Sequence, residues 1–526
     1  MIAVPLGRLF CVISWACLEQ TGAITGRPLM IIPIVALSKG FPHRHTPCLR
    51  IASNNDSRFC RGFFFSAFIY SLLQSEYCIT DKKLCKGFIY YIFDNMVTLE
   101  KIVNLCKRRG IIFPGSEIYG GLANSWDYGP LGTELKSNIK KLWWKMFVQE
   151  RDDIVGLDAA LIMNPKVWVA SGHVQNFNDP MVECKKCHMR YRSDQKPEKC
   201  ENCKGKEFTD SKQFNTMFKT NLGPVESEDN AVYLRPETAQ AMFVDFPVIA
   251  ETTRMKIPFG IAQIGKVFRN EITPGNFIFR TREFEQMEIE YFIRPEDGEK
   301  YFQIWLDAQK SWIKAVGIDE KKTKYIEIGA EDRAHYSKRS VDTEFVFPFG
   351  QKELYGLAYR TDFDLKAHKI EYRDPVSGEK FVPHVIEPTW GVDRTVLAVL
   401  LSCYDESEAR SGKDDAVHDT EITLRLPSAL APIKVAILPL SKKEELTGPA
   451  KEIYKDLRKH WMCQYDETAS IGKRYRRQDE IGTPYCLTVD FDSLEDKKVT
   501  VRDRDTMAQD RVDIAELKSY FAGKLN

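Results

Sequence analysis

Between Phe268 and Phe292, the stretch FRNEITPGNFIFRTREFEQMEIEYF sets three arginines and five glutamates on two strand-like runs around a loop containing Pro274 and Gly275. Side chains alternate faces along a strand, so Arg269 and Glu271 project to the same side. An antiparallel return gathers Arg269, Glu271, Arg282, Gln286 and Glu288 on one face, while parity leaves the loop-proximal Arg280 unassigned. Buried without a ligand, such charges would cost roughly several kcal/mol each. The chemistry they suit is the holding of charged ligand groups; the alternative is a solvent-exposed ladder of salt bridges. EPTWGVDRTVL, from Glu387 to Leu397, supplies a second charged group, with a turn ending at Gly391 and Asp393 and Arg394 opening a helix. YLRPETAQAMF supplies a third at Glu237, where a glutamate favoured by the helix dipole in a first turn is the alternative.

The stretch CKKCHMRYRSDQKPEKCENC carries a different chemistry. Cys184, Cys187, Cys200 and Cys203 form two CxxC pairs. Each pair makes a tight knuckle aiming two thiolates at one centre, and four soft sulfurs in tetrahedral array suit zinc. With four protein ligands no coordination position stays open, so the expected role is structural. His188, next to a ligand, reads as a bystander.

The elements that must position these groups follow from periodicity. PLGTELKSNIKKLWWKM, residues 130–146, starts on a proline and spaces Leu131, Leu135, Ile139, Leu142 and Met146 as one helical stripe, suited to a core or to a dimer interface. From Phe214 to Leu401 antiparallel hairpin signals predominate. After the polar YDESEARSGKDDAVHDTE the pattern changes to KVAILPL, AKEIYKDLRKH, WMCQYDE, PYCLTVDF, VTVRDRD and IAELKSYFAGK, which reads as a separate α/β domain. Within it GKRYRRQDEIG clusters Lys473, Arg474, Arg476 and Arg477 around Tyr475, either a solvated basic turn or a contact for RNA phosphates and a stacked base.

A net charge of +1 over 526 residues excludes a global polycation, so any nucleic-acid partner must be held by local patches. Six of the fourteen cysteines precede residue 96, and four more sit in the CxxC pairs; this is a reducing-compartment pattern with a metal site rather than a secreted disulfide framework. Residues 1–95 are poor in Asp and Glu and show no ordered signal-peptide layout. They are expected to be a non-native or disordered extension, an organelle transit peptide or an accessory segment, with Met96 as a plausible start. Their apolar runs, such as GFFFSAFIYSLL, fall short of the roughly 18–20 residues of a membrane span.

From about Thr98 onward the chain resembles the class II aminoacyl-tRNA synthetases, and specifically the dimeric glycyl-tRNA synthetases. EIYGGLANSWDYGPLG is similar to the entry to the first class motif, FRNEI with FRTREFEQME to the second and EPTWGVDR to the third. LRPETAQ, FNTMFKT and LAYRTDFDLKAH add family-specific matches. The resemblance implies an α+β fold: a class II antiparallel sheet with flanking helices over residues 96–425, a zinc-ribbon-like insertion at 181–210, and a C-terminal α/β anticodon-binding domain over 426–526. It implies a glycine–tRNA ligase that makes glycyl-adenylate from ATP and passes glycine to the 3′ end of tRNA(Gly), as a cytoplasmic homodimer, or an organellar one if residues 1–95 are a transit peptide.

By the same resemblance the catalytic residues are Arg269, Glu271 and Arg394. Arg269 would neutralise the α-phosphate and the glycine carboxylate, and Arg394 with Arg280 or Arg282 the γ-phosphate. Phe284 would stack on adenine, and Glu271 would read the adenylate or the tRNA end. Glu353, with Glu387, would bind Mg2+, and Asn270, Phe279, Leu354, Gly391 and Asp393 complete the nucleotide set. Glu237, Glu288 and Glu387 would cage the ammonium, balanced by Arg360, with Glu285, Gln286, Met287, Thr389 and Arg192 also on the glycine side. Thr389 stands where the family usually has Ser, and Trp390 and Ala241 are further departures from the family pattern.

Overall fold

The computed structural model describes residues 2–6, 9–13, 97–408 and 420–525. It divides into two compact units, Met1–Met96 and Val97–Asn526. In the first, Ile2–Leu6 pairs antiparallel with Leu9–Ile13; the expectation of a disordered or non-native extension falls outside the described residues.

The second unit is built around a seven-stranded sheet. Its strands, in chain order, are β1 (Ile154–Gly156), β2 (Phe259–Phe268), β3 (Glu283–Ile293), β4 (Thr323–Glu327), β5 (Arg339–Phe347), β6 (Gly350–Thr361) and β7 (His384–Gly391). They lie in the order β4-β5-β6-β7-β3-β2-β1. All neighbours are antiparallel except the short edge strand β1, which runs parallel to β2.

The two faces of this sheet have different work, and β3 shows why. Met287, Ile289, Tyr291 and Ile293 alternate onto the core face. There they join Leu135, Ile139 and Trp143 of α1 (Pro130–Trp144), Trp305, Trp312 and Ile313 of α2 (Gly298–Ala315) and Val396 and Leu400 of α3 (Val392–Cys403). Gln286, Glu288 and Glu290 point the other way and are also buried. A strand with one apolar and one acidic face, both covered, is poor strand material by polarity. The acidic face therefore signals a site rather than a solvated surface.

The stripe on α1 is core-facing, and its buried centre is Leu135, Ile139 and Trp143, with Leu142 and Met146 at the margin. Trp390 also lies in the core, 5.5 Å from Trp143 and 4.9 Å from Phe147 between ring centres, so it does not bear on the substrate face. Ala241 is buried in the short helix Ala239–Val244.

The C-terminal segment forms its own five-stranded mixed sheet, with Val435–Pro439 parallel to both Cys463–Tyr465 and Tyr485–Val489, and Lys498–Asp503 and Gln509–Asp513 added antiparallel. The segment GKRYRRQDEIG is not a turn: Ile471–Glu480 is a helix. Its Arg474 is buried and donates to the carbonyls of Pro439 and Asp466, and Arg476 pairs with Glu421. Arg477 pairs with Asp466. Tyr475 bonds Thr488 and lies under the Arg502 guanidinium, so the ring is already occupied.

Candidate active site

The acidic face of the sheet is laid out in rungs. One rung runs Gln263, Glu288, Thr389, Gly356 across β2, β3, β7 and β6. On the same register the next runs Ile261, Glu290, Glu387, Ala358. Arg360 follows on β6, on the site-facing parity. Gly265 opens room beside the first rung: a Cβ there would fall 2.0 Å from Arg235 Nη2. That guanidinium is buried and donates to Gln263 Oε1, Ala159 O and Lys266 O, bracing the floor.

Glu288 accepts from Thr238 Oγ1 and, at 2.8 Å, from Thr389 Oγ1. The hydroxyl of the unusual Thr389 is thus engaged with the cage. Arg360 ties the next rung: Nη1 reaches Glu387 Oε2 at 2.8 Å, while Nε and Nη2 grip Asp364 in a bidentate pair at 2.7 and 2.9 Å. The Tyr336 ring centre lies 4.0 Å from the guanidinium carbon. Glu237 stands 3.3 Å from His173 Nε2 and accepts from Gln240. Burial pushes its carboxyl up, yet His173 and Arg360 hold it well below the usual range. Burial raises Glu288, helped by the charge of Glu237, and raises Glu387 to about 8 against the pull of Arg360. The free site is short of positive charge and is suited to a compact cation.

Beyond β2 and β3 lies a second pocket, lined among others by Arg269, Glu271, Phe279, Arg280, Phe284, Glu353 and Arg394. Both strands end before the arginines, at Phe268 and Glu283, so Arg269, Glu271, Arg280 and Arg282 sit on the connection rather than on paired strand. The Arg269 guanidinium lies 5.4 Å from the ring centres of both Phe177 and Phe284, and its Nε donates to Pro236 O. Arg394, at the start of α3, is set 4.4 Å over Phe279 and bonds Glu353 through its carbonyl and its carboxylate. Arg269, held by rings and a carbonyl, keeps its charge to offer an anion.

Several expected site residues are placed otherwise. The Met287 side chain is in the core, and Glu285, on the same parity, pairs with Lys136 and Lys140 of α1. Asp393 lines the second pocket, and its carboxylate accepts from Tyr128, Lys136 and the Glu285 N–H, which fixes the start of α3. Leu354 lines the second pocket and packs in the core, as Gly391 lines it ahead of α3. Arg282 donates to Ala123 O and Asn270 takes Thr216 O through its N–H; neither lines the pocket, whereas Arg280 does, 4.0 Å from Glu271. Arg192 is paired with Asp179 and Asp194. Glu387, tied to Arg360, belongs to the cage and not with Glu353.

His173 and Tyr336, which no motif marked, join the site unannounced, as do Gln240 and Asp364, which lie inside LRPETAQ and LAYRTDFDLKAH without having been singled out, and Asp342, whose carboxyl is pushed up to about 7 by burial and by Glu353 and Glu344. The sequence reading also passed over Glu290, although its parity with Glu288 was legible.

The four cysteines converge as expected, with all four sulfurs within 4.8 Å of one another and Sγ–Sγ distances of 3.5 Å (Cys184–Cys203) and 3.4 Å (Cys187–Cys200). Tetrahedral zinc thiolates sit about 3.8 Å apart, so the donor set fits the ion. Each knuckle closes on a left-handed residue, His188 and Lys204, whose N–H returns to the first cysteine's carbonyl. The His188 ring turns out to Glu183.

Known proteins share this arrangement. Residues 218–403 match the tRNA synthetase class II core domain (G, H, P, S and T), and residues 434–524 match the anticodon binding domain. The crystal structure of prolyl-tRNA synthetase from Cryptosporidium parvum, complexed with halofuginone and AMPPNP, overlays with a TM-score of 0.56 at 15% identity, covering 81% of this chain and 77% of that one, a likeness of fold. Glycine–tRNA ligase from Bacillus thuringiensis subsp. konkukian is 52% identical over 465 residues, 82% of this chain and 100% of that protein. Glycine–tRNA ligase from Acetivibrio thermocellus is 52% identical over 464 residues, 82% and 99%. With an antiparallel core carrying the three charged motifs on one face, an anticodon-binding domain after it and half the residues shared along whole relatives, the chain belongs to the class II tRNA synthetases and, among them, to the glycine–tRNA ligases.

Proposed function

We propose that the chain activates glycine with ATP and transfers it to the 3′ end of tRNA(Gly). The observation that carries this reading is the buried carboxyl cage of Glu237, Glu288 and Glu387, fixed by Thr238, Thr389 and Arg360, next to a pocket of arginines. Glycine offers no side chain, so its ammonium is the feature to grip, and larger amino acids are refused by overlap.

The glycine carboxylate is already ionised and needs no general base. It attacks the α-phosphorus, the bond to the bridging oxygen breaks, and pyrophosphate leaves. The obstacle is anion against anion, which Arg269 offsets at the α-phosphate while Arg394 and Arg280 hold the γ-phosphate. Phe284 offers adenine a ring, and Glu271 reads the adenylate or the tRNA end. In the second step a terminal ribose hydroxyl attacks the adenylate carbonyl and AMP leaves. Glu353 and Asp342 would hold Mg2+, because the raised carboxyl of Asp342 marks an acidic patch that a cation relieves; bound there, the ion supplies charge compensation for the phosphates.

The direct test is glycine-dependent exchange of pyrophosphate into ATP by residues 96–526. Exchange with glycine and none with serine or alanine supports the reading; the reverse overturns it. The four-cysteine site takes structural Zn2+ in this reading, seen as one zinc per chain by elemental analysis and lost in Cys200→Ser. The core-facing α1 lends a homodimer no support, but Ile118, Tyr119 and Leu122 are strongly exposed and offer an apolar surface for a second copy; light scattering at the mass of one chain would sink it. The described cysteines are free thiols, which suits a reducing interior, with the cytoplasm as the compartment of choice. Among the described residues no helix is long and apolar enough to cross a membrane.

A further inference from the structure

Glu290 is fully buried, and neither carboxyl oxygen has a hydrogen-bond partner. Its rung explains the isolation: Ile261 stands on one side and Glu387 on the other, so the sheet supplies no donor. One of its carboxyl oxygens lies within 4.8 Å of one oxygen each of Glu288 and Glu387, which are as close to each other. The charged groups facing it are Glu288 on its own strand, Glu387 on β7, Arg360 on β6 and Asp364 on the following short helix, with Glu237 and His173 beyond Glu288. Arg360 spends its donors on Asp364 and Glu387. Five carboxyls thus face Arg360, with His173 beside Glu237 and the Arg235 guanidinium acting on Glu288, and the incoming ammonium brings a single further positive charge.

We propose that Glu290 is a positioning residue kept as the neutral acid: its proton, held between Glu288 and Glu387, removes one negative charge from the cluster, so that the ammonium is received by those two carboxyls. The inference rests on the glycine reading for its purpose, though not for the protonation itself. Of the clustered acids, Glu290 is the one without any donor to support a charge, and buried carboxyls crowded by like charges take up protons. As an acid it can donate toward Glu387, leaving Glu387 to face Arg360 and substrate.

The test is Glu290→Gln, which keeps the shape and a donor but cannot ionise. A group that stays protonated in the folded state and ionises in the unfolded one loses stability as pH rises above the ordinary carboxyl range. Wild type and E290Q should therefore melt together near pH 5, and E290Q should melt higher by about 2 °C or more near pH 8. This readout needs no substrate, so it stands or falls apart from the glycine assignment. In exchange assays, E290A should raise the glycine KM by roughly tenfold with little change in the KM for ATP, and E290Q should restore it. A Glu290 that ionises as readily in the folded protein as in the unfolded chain gives a different result: E290Q melts no higher than wild type near pH 8, and it fails to rescue the glycine KM. Either result overturns the proposal.

Discussion

The cage and the arginine pocket adjoin one another, yet they hold their charges by different means. In the cage, Glu288, Glu387 and Arg360 stand on central strands of one sheet, and each is fixed by side chains that are themselves buried. In the pocket, Arg269 and Arg280 stand on the connection past the ends of β2 and β3, and Arg394 opens a helix. Rings and a backbone carbonyl hold Arg269, Arg394 adds the Glu353 carboxylate to a ring and carbonyls, and Arg280 stands 4.0 Å from Glu271. A group that must discriminate a two-carbon substrate has to be placed to a fraction of an ångström, which strands provide. Groups that must follow phosphates as bonds form and break gain from looser attachment, provided that their charge is not already spent.

The sharpest way to break this contrast is Arg360→Ala. If the cage is as rigid as its hydrogen bonds imply, leaving Asp364 and Glu387 buried without a partner should cost about 3–5 kcal/mol of stability in denaturant unfolding; a loss below about 1 kcal/mol would mean that the cage is not held by that ion pair. Arg269→Ala should leave the melting point nearly unchanged and cut glycine-dependent exchange by about 10²–10³-fold, since a preorganised charge is removed and little packing. An equal loss of stability would put the two regions in one class.

A gentler probe is pH. Glu387 is raised to about 8 by burial, so below that pH it carries a proton and cannot balance the ammonium. The glycine KM should fall by up to about tenfold from about pH 6.5 to about pH 8.5, while the KM for ATP stays flat. A glycine KM that rises over that window reverses the sign and removes Glu387 from the cage. The smallest effect expected separates neighbours in the pocket: Arg280→Ala should raise the KM for ATP by about tenfold and Arg282→Ala by about twofold or less, because Arg280 lines the pocket and Arg282 is turned to Ala123 O.

The same contrast explains what the sequence disclosed. Alternation in EFEQMEIEYF marked Glu288 and Gln286 for one face, and CxxC spacing located the four thiols, because both signals are local. The strand-borne parts of the site were legible for that reason. The loop around Pro274 and Gly275 is longer than the sequence suggests, taking in Arg269, Glu271 and Arg282, since only the tertiary fold ends the pairing at Phe268 and Glu283. Asp342 and His173 escaped notice because nothing near them in sequence says what they approach, whereas Asp364 lay within reach, four residues after Arg360 in LAYRTDFDLKAH. GKRYRRQDEIG misled in a related way: a basic run looks available until the acids and carbonyls that occupy it, Asp466, Glu421 and Pro439, are brought up by other segments.

Strand β3 has both faces committed, Met287 and Ile289 to the core and Glu288 and Glu290 to the cage. Substitution on either face can be graded, but length cannot. One residue added or lost between Glu283 and Ile293 would turn the carboxyls into the tryptophan-lined core and the aliphatics onto the substrate, undoing stability and recognition together. This segment should therefore accept changes of letter over evolutionary time while refusing changes of count.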